Sequence, residues 1–63
     1  MTTVILPDGT LAETEAGTVL EILSRLGFNP YEVLATADGE LLLDDEFCDE
    51  GTELKLTSIV HGG

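Results

Sequence analysis

The spacing of apolar residues along the chain predicts five strands and one helix. Strand-like segments alternate apolar and polar positions, and the alternation is plainest in the last of them. There Leu54 and Leu56 face one way, while Glu53, Lys55 and Thr57 face the other. The predicted strands cover residues 2–6, 10–13, 32–37, 40–43 and 52–60.

The segment after residue 17 changes to a helical period. Thr18 and Glu21 have the spacing of a capping box, in which a hydroxyl and a carboxylate bind the free amide groups at a helix start. Gly27 is suited to end the helix, and Pro30 prevents it from resuming. Apolar residues between these signals recur at i, i+3, i+4 and i+7 and so share one helix face: they are Val19, Ile22, Leu23 and Leu26.

Two turn sequences predict hairpins. Pro7-Asp8-Gly9 separates the first two strands, and Asp38-Gly39 separates the third and fourth. The order is therefore β-β-α-β-β-β. We expect an α+β fold of the β-grasp type, in which one amphipathic helix packs on a mixed four- to five-stranded sheet. The first and last strands are then parallel at the sheet centre, residues 1–60 form the domain and residues 61–63 form a flexible tail.

An acidic connection, residues 44–51, precedes the last strand. Phe47 and Cys48 interrupt it, and we expect both to fill gaps in the core. Its acidic residues lack the alternate spacing and the sixth-position glycine of an EF-hand, so we expect a hydrated turn and no metal site. No cationic residue neighbours Cys48 to activate its thiol, which favours a small buried hydrophobe.

The amino-acid composition excludes several classes of function. The chain has 63 residues, with 13 acidic side chains against two basic ones and a formal charge of −11. That charge argues against binding nucleic acid or an anionic membrane. One cysteine and one histidine supply neither an internal disulfide nor a structural zinc site. Because no apolar run approaches the ~20 residues of a membrane span and the start lacks a basic signal sequence, we expect a soluble, cytoplasmic monomer without a bound cofactor.

The acidity itself has three interpretations. Disorder is disfavoured, because 43% of the residues are apolar. A basic partner and a salt-rich cytoplasm both stay open. The acidic residues are spread over every segment rather than gathered in one tail, which favours a halophilic host whose salt screens their repulsion.

Few side chains are candidates for chemistry. The sequence contains no glycine-rich phosphate loop and no nucleophile or metal motif, so we predict no catalytic residue. We expect Arg25 to be solvated, and Lys55 is the only side-chain amine suited to accept a covalent attachment. His61 has no acid or nucleophile near it in sequence, and recognition by a partner fits it better than general base catalysis.

The last predicted strand runs into Gly62-Gly63. Two residues without side chains make a thin tail that can enter a narrow channel and place its carboxylate beside ATP. A carboxylate that attacks the α-phosphate of ATP forms an acyl-adenylate, which a sulfur or nitrogen nucleophile then displaces. Near the root of this tail, strand alternation turns the apolar Leu34 and Ile59 to the outer sheet face, where they suggest a docking patch.

The chain resembles the ubiquitin-like sulfur carriers and small archaeal modifier proteins, the MoaD and ThiS group. The resemblance covers nearly the whole chain by pattern. Its most specific parts are the hairpin at Asp38-Gly39-Glu40, the segment Asp49-Glu50-Gly51-Thr52-Glu53-Leu54 and the ending Ile59-Val60-His61-Gly62-Gly63.

This resemblance implies a carrier or modifier rather than an enzyme. A ubiquitin-activating-type enzyme would adenylate Gly63 with ATP and magnesium, docking against Leu34, Ile59, Val60 and His61. The product would be a thiocarboxylate, made with a sulfur donor for molybdopterin, thiamine or tRNA thiolation, or an isopeptide bond to a lysine of a target protein. The alternative is a β-grasp module that only docks noncovalently and whose glycine tail is incidental.

Overall fold

A mixed five-stranded sheet and one helix make up most of the chain in the computed structural model, which describes residues 1–59. The fold is α+β, as predicted. A second, two-stranded sheet lies beside the helix start. The elements are β1 (Thr2–Ile5), β2 (Leu11–Thr14), β3 (Gly17–Thr18), α1 (Val19–Leu26), β4 (Val33–Ala37), β5 (Glu40–Leu42), β6 (Phe47–Cys48) and β7 (Glu53–Ser58).

The first and last strands meet at the centre of the large sheet. The strand order is β2-β1-β7-β4-β5, with β1 and β7 parallel and the other neighbours antiparallel. In the parallel pair Val4 lies beside Leu54, and both side chains are fully buried. The predicted parallel centre, with one hairpin on either side of it, is confirmed.

The helix covers one face of this sheet. Leu54 and Leu56 of β7 point into the core, and so do Val33 and Ala35 of β4, as their alternation predicts. Phe28, directly after the helix end, packs partly buried against the same cluster. Together with these strand residues, the buried core consists of Val4, Val19, Ile22, Leu23 and Cys48.

Both ends of α1 are capped as predicted. The backbone N–H of Glu21 donates to Thr18 Oγ1 at 3.2 Å, and the backbone N–H of Thr18 donates to Glu21 Oε1 at 2.9 Å. At the other end Gly27 has a φ of 81°, a left-handed conformation that glycine adopts without steric cost. The N–H of Phe28 donates to the carbonyl of Leu23 at 2.9 Å and closes the last turn.

The two predicted hairpins are confirmed. Asp38 and Gly39 have φ values of 53° and 80°, which is the pair of positive angles that a two-residue hairpin of type I′ requires. In the first hairpin the backbone N–H of Thr10 donates to Asp8 Oδ1 at 2.9 Å. The turn sequences therefore fix how β1 meets β2 and how β4 meets β5.

The small sheet of β3 and β6 was not predicted, and it corrects one expected core residue. In this sheet Gly17 pairs with Cys48 and Thr18 with Phe47. Neighbouring strand residues point to opposite faces, so only one of Phe47 and Cys48 faces the core. Cys48 is buried, whereas Phe47 is 62% exposed, and the expectation that Phe47 fills the core was wrong.

The last strand is shorter than predicted. The period indicated a strand over residues 52–60, whereas β7 ends at Ser58. Beyond it, the N–H of Ile59 still donates to the carbonyl of Glu32 at 2.9 Å. The predicted strand position of Val60, the domain boundary after it and the tail of residues 61–63 lie outside the described residues.

Protonating the capping box should weaken the fold. The backbone N–H and then the hydroxyl of Thr18 bind the Glu21 carboxylate and lower its pKa below the ordinary value of 4.5. A lowered folded-state pKa contributes stability that is present above the unfolded pKa and is lost as pH falls through the folded one. The stability difference between the parent chain and Glu21→Gln should therefore shrink between about pH 6 and pH 3 in urea unfolding.

The matched control is Glu13→Gln, which removes the same charge from an exposed side chain that forms no hydrogen bond with a described residue. Relief of general repulsion affects both variants alike. Only Glu21→Gln replaces the charged acceptor of the Thr18 N–H by a neutral amide oxygen, which accepts that bond more weakly and does not titrate. An identical pH dependence for the two variants would contradict a role for the Glu21 carboxylate in capping.

Candidate functional site

The candidate site begins where β7 ends. This strand is paired on both sides, with β1 up to Lys55 and with β4 up to Ser58, and Ile59 is tied to Glu32. The chain is therefore held in place up to Ile59, two residues before the predicted start of the tail at His61. The predicted activation residues Gly62 and Gly63 lie outside the described residues and stay predictions, and so do the docking residues Val60 and His61.

The two described members of the predicted docking patch lie at the same end of the sheet. Leu34 pairs across the strands with Thr57, and its side chain is 41% exposed. Ile59 follows two residues after Thr57 and is half-buried. An exposed leucine and a half-covered isoleucine therefore lie close to the root of the tail, which is what the docking prediction requires of them.

A row of side chains crosses the outer face of all five strands of the large sheet. Its successive neighbours pair in register: Leu11 with Ile5, Ile5 with Lys55, Lys55 with Thr36, and Thr36 with Leu41. The two leucines at its ends are 67% and 57% exposed. The sequence analysis identified neither leucine. The available signal was an apolar residue in a short edge strand, at a position whose side chain points away from the core.

Lys55 lies in the middle of this row. The side chain is exposed and borders a shallow hollow with Asp38 and Glu53. Within residues 1–59, no carboxylate lies within 4.0 Å of its amine. The predicted acceptor amine is thus accessible from solvent.

Arg25, which we expected only to be solvated, also forms hydrogen bonds within the fold. Its Nη1 donates to Thr14 Oγ1 at 3.3 Å and to the carbonyl of Glu15 at 2.8 Å, so that it joins the end of α1 to the end of β2. A Cβ on Gly17 would lie 3.2 Å from Arg25 Nη2 and 3.0 Å from Glu21 Oε1. One of the two basic side chains is therefore used as a structural brace beside a glycine that leaves room for it.

Acidic side chains are left without ionic partners over most of the described surface. In residues 1–59 the one ion pair joins the N-terminal amine of Met1 to Glu50, at 4.0 Å. No group of three or more metal-ligating side chains is found in that range. The repulsion among the acids must then be screened by the solvent rather than neutralised within the fold.

Cys48 is a buried thiol, as predicted. Burial raises its pKa, and the nearby carboxylates of Glu46 and Asp49 raise it further. A raised pKa keeps the thiol protonated at neutral pH, and the thiolate is the reactive form. The geometry therefore favours packing over nucleophilic chemistry at this position.

Comparison with known proteins adds no relative: no protein-family model and no curated protein matches the chain. In the described part of the chain, no helix has the length and apolar character needed to cross a membrane. The function proposed below therefore rests on the residues, on their geometry and on the resemblance described above.

Salt should stabilise the fold. With a charge of −11 and one ion pair in the described range, the folded state gains when ions screen repulsion. The free energy of unfolding measured with urea should rise between dilute buffer and roughly 1 M potassium chloride. Chloride is preferred to sulfate, because sulfate also strengthens the burial of apolar surface.

A variant with Asp44, Asp45 and Asp49 changed to Asn is the matched control. Its side chains have nearly the same shape but carry three fewer negative charges, so its stability should rise less steeply with salt. Equal stability of the parent chain in dilute buffer and in molar salt would contradict screening and, with it, adaptation to a salt-rich cytoplasm.

Proposed function

We propose that this chain is a ubiquitin-like carrier or modifier protein of the β-grasp type, activated at the carboxylate of Gly63. The observation that carries the proposal is the path of β7. The strand lies at the centre of the sheet, Ile59 directly after it is tied to Glu32, and the four residues that follow Ile59 end in Gly62-Gly63. A rigid body is thus joined to a short end whose last two residues have no side chains.

The β-grasp assignment rests on the topology. One helix lies across a mixed sheet in which the first and last strands are parallel neighbours, with β2 on one side of this pair and the hairpin of β4 and β5 on the other. Such an arrangement holds β7 against β1 up to Lys55, while β4 alone continues the pairing to Ser58. A protein whose C-terminus is passed from one enzyme to another benefits when the strand before that C-terminus is held in the sheet.

The proposed chemistry has two steps. A carboxylate oxygen of Gly63 attacks the α-phosphorus of ATP, and magnesium pyrophosphate leaves. A sulfur nucleophile then displaces AMP to give a thiocarboxylate, the sulfur source for molybdopterin, thiamine or tRNA thiolation. Alternatively, the acyl group of Gly63 is first transferred from AMP to the activating enzyme. A lysine amine of a target protein then displaces the enzyme group and forms an isopeptide bond. The ATP–magnesium site and the catalytic groups belong to the activating enzyme.

Docking on that enzyme is assigned to the apolar residues at the root of the tail. Leu34 and Ile59 lie there, and Val60 and His61 continue the chain beyond them. An apolar patch on a strongly acidic surface gives an interface a dry centre and a charged rim. Lys55, exposed on the outer sheet face, is the side-chain amine available if the chain itself becomes a target. The acidity fits a cytoplasm with high salt.

The rival function is a noncovalent β-grasp interaction module with an incidental tail. The exposed Leu11 at one end of the outer row favours it, because this leucine offers binding surface on the edge strand opposite to Leu34 and Ile59. The two functions differ in whether the terminal carboxylate is needed.

Removing Gly62 and Gly63 discriminates between them. Exchange of labelled pyrophosphate into ATP, catalysed by an activating enzyme in the presence of the chain, should disappear with the truncated chain because no glycine carboxylate reaches the nucleotide. A chain with one alanine added after Gly63 is the matched control, and it should be equally inactive although it keeps both glycines. Undiminished exchange with either variant would contradict activation at Gly63.

A charge in the docking patch should weaken activation. Leu34→Glu places a carboxylate where an apolar contact is proposed, and the concentration of chain needed for half-maximal exchange should rise about tenfold or more. The maximal rate should change little, since Gly63 is intact. Leu11→Glu is the matched control on the far edge strand of the same face. Equal effects of the two variants would remove Leu34 from the patch.

A further inference from the structure

An apolar groove lies between the start of α1 and the edge of the sheet at β4 and β5. Its volume is about 340 Å³. Val19 and Leu23 of the helix form part of its floor, and Asp44 and Asp45 lie at its mouth. The groove therefore combines an apolar interior with an acidic rim.

One side of the groove is an open strand edge. The pairing of β4 with β7 continues to Val33, whereas its pairing with β5 stops at Ala35 and Leu42. In a two-residue hairpin the pair next to the turn, here Ala37 and Glu40, exchanges backbone hydrogen bonds. Every second residue of β4 counted back from Ala37, which includes Val33, therefore directs its N–H and C=O groups to the β5 side. At Val33 no strand of residues 1–59 lies on that side to receive these groups.

The chain beyond β5 is turned away from this edge and held there. The N–H of Leu43 donates to Glu46 Oε2 at 2.7 Å, and the N–H of Leu20 donates to the carbonyl of Asp44 at 3.0 Å. These bonds direct residues 43–46 towards the helix start instead of along β4. The β5 side of Val33 is consequently not paired by any strand of residues 1–59 and can receive another chain.

Exposed leucines surround the same opening. Leu43 is 64% exposed, and Leu41 and Leu34 line the groove with it. Single exposed leucines are ordinary, but three of them line this groove, and two, Leu34 and Leu41, are also exposed at the outer sheet face. An apolar side chain of a partner that enters here would leave water on the side that faces the groove floor.

The acidic side chains at the mouth of the groove indicate which charge a bound partner should carry there. Asp44 and Asp45 have no basic side chain within 4.0 Å in the described range. Arg25 is used at Thr14 and Glu15, and Lys55 lies on the outer sheet face. The complementary cations must then come from outside. A second copy of this chain cannot supply them as a basic segment, since it has only two basic residues and a charge of −11.

We propose that this groove binds an extended segment of a partner protein that has an apolar residue flanked by lysine or arginine. The segment adds as a short strand beside Val33, places its apolar side chain over Leu23 and Val19, and pairs its cations with Asp44 and Asp45. This recognition goes beyond activation at Gly63 and does not depend on it, because the residues that carry the argument all lie within residues 1–59.

A titration of the full chain followed by amide chemical shifts tests the proposal. The probe is an acetylated and amidated peptide with a Leu-Val-Leu centre between two Lys-Arg pairs. Residues 33–35 and 41–45 should shift together, and binding should weaken about tenfold in Leu43→Ser, which removes apolar surface from the rim. Asp45→Asn, which preserves shape, should weaken binding in dilute buffer and less so in molar salt.

Leu11→Ser and Asp49→Asn are the matched controls, and each should leave binding unchanged. A second peptide with a Gly-Ser-Gly centre and the same basic ends should bind far more weakly. The proposal is overturned if the two peptides bind alike, if the shifts spread over the outer sheet face or if no shift occurs at millimolar peptide. A dimer in sedimentation that Leu43→Ser dissociates would assign the groove to a second copy and overturn it equally.

Discussion

The parallel pairing of β1 with β7 is the interaction on which the rest of the structure depends. It joins residues about fifty positions apart in sequence and places Val4 against Leu54 under the helix. Each hairpin forms from local turn signals, but the two hairpins belong to one sheet only through this pair. Since a chain of this length has a small core, the pair also completes the surface on which the helix packs.

This constraint links the fold to the proposed chemistry. Up to Lys55, β7 pairs with β1 inside the sheet and opens only when the sheet opens, and pairing with β4 alone carries it on to Ser58 at the root of the tail. In the proposed function the sheet supplies the position of the tail and an activating enzyme supplies the reactivity.

The parts of the fold that carry a local signal could be predicted from the sequence. Thr18 and Glu21 fixed the helix start, Asp38-Gly39 fixed a hairpin, and the alternation at Leu54 and Leu56 fixed which face of β7 is buried. These signals were sufficient because each depends on backbone geometry within a few residues. The parallel centre followed from them together with the need to cover one helix face.

What the sequence could not provide depends on contacts between distant residues. The strands β3 and β6 have two residues each, too few to show a period, and their pairing decides that Phe47 faces solvent. The brace from Arg25 to Glu15 is likewise a tertiary contact with no sequence signal. Of the candidate site, Leu34 could be predicted from alternation, whereas the groove beside it arises because β5 ends before β4 does.

Two surfaces therefore meet near the same end of the sheet. Leu34 borders both the patch at the root of the tail and the groove behind the strand edge. A partner in the groove would lie close to an enzyme docked at the tail, so the two interactions would compete or cooperate through shared space. Acidic residues around both surfaces would exclude acidic partners and slow association in high salt, leaving apolar contact to decide affinity.

The most direct measurement is the intact mass of the full chain after incubation with an activating enzyme, ATP, magnesium and a sulfur donor. Activation at Gly63 followed by sulfur transfer predicts a gain of roughly 16 Da, the exchange of one oxygen for sulfur, confined to the C-terminal fragment. In the absence of the sulfur donor, the adenylate should instead pass to an amine, and added hydroxylamine should trap it at the same residue. An unchanged mass under both conditions, or a modification located anywhere other than Gly63, would contradict the account.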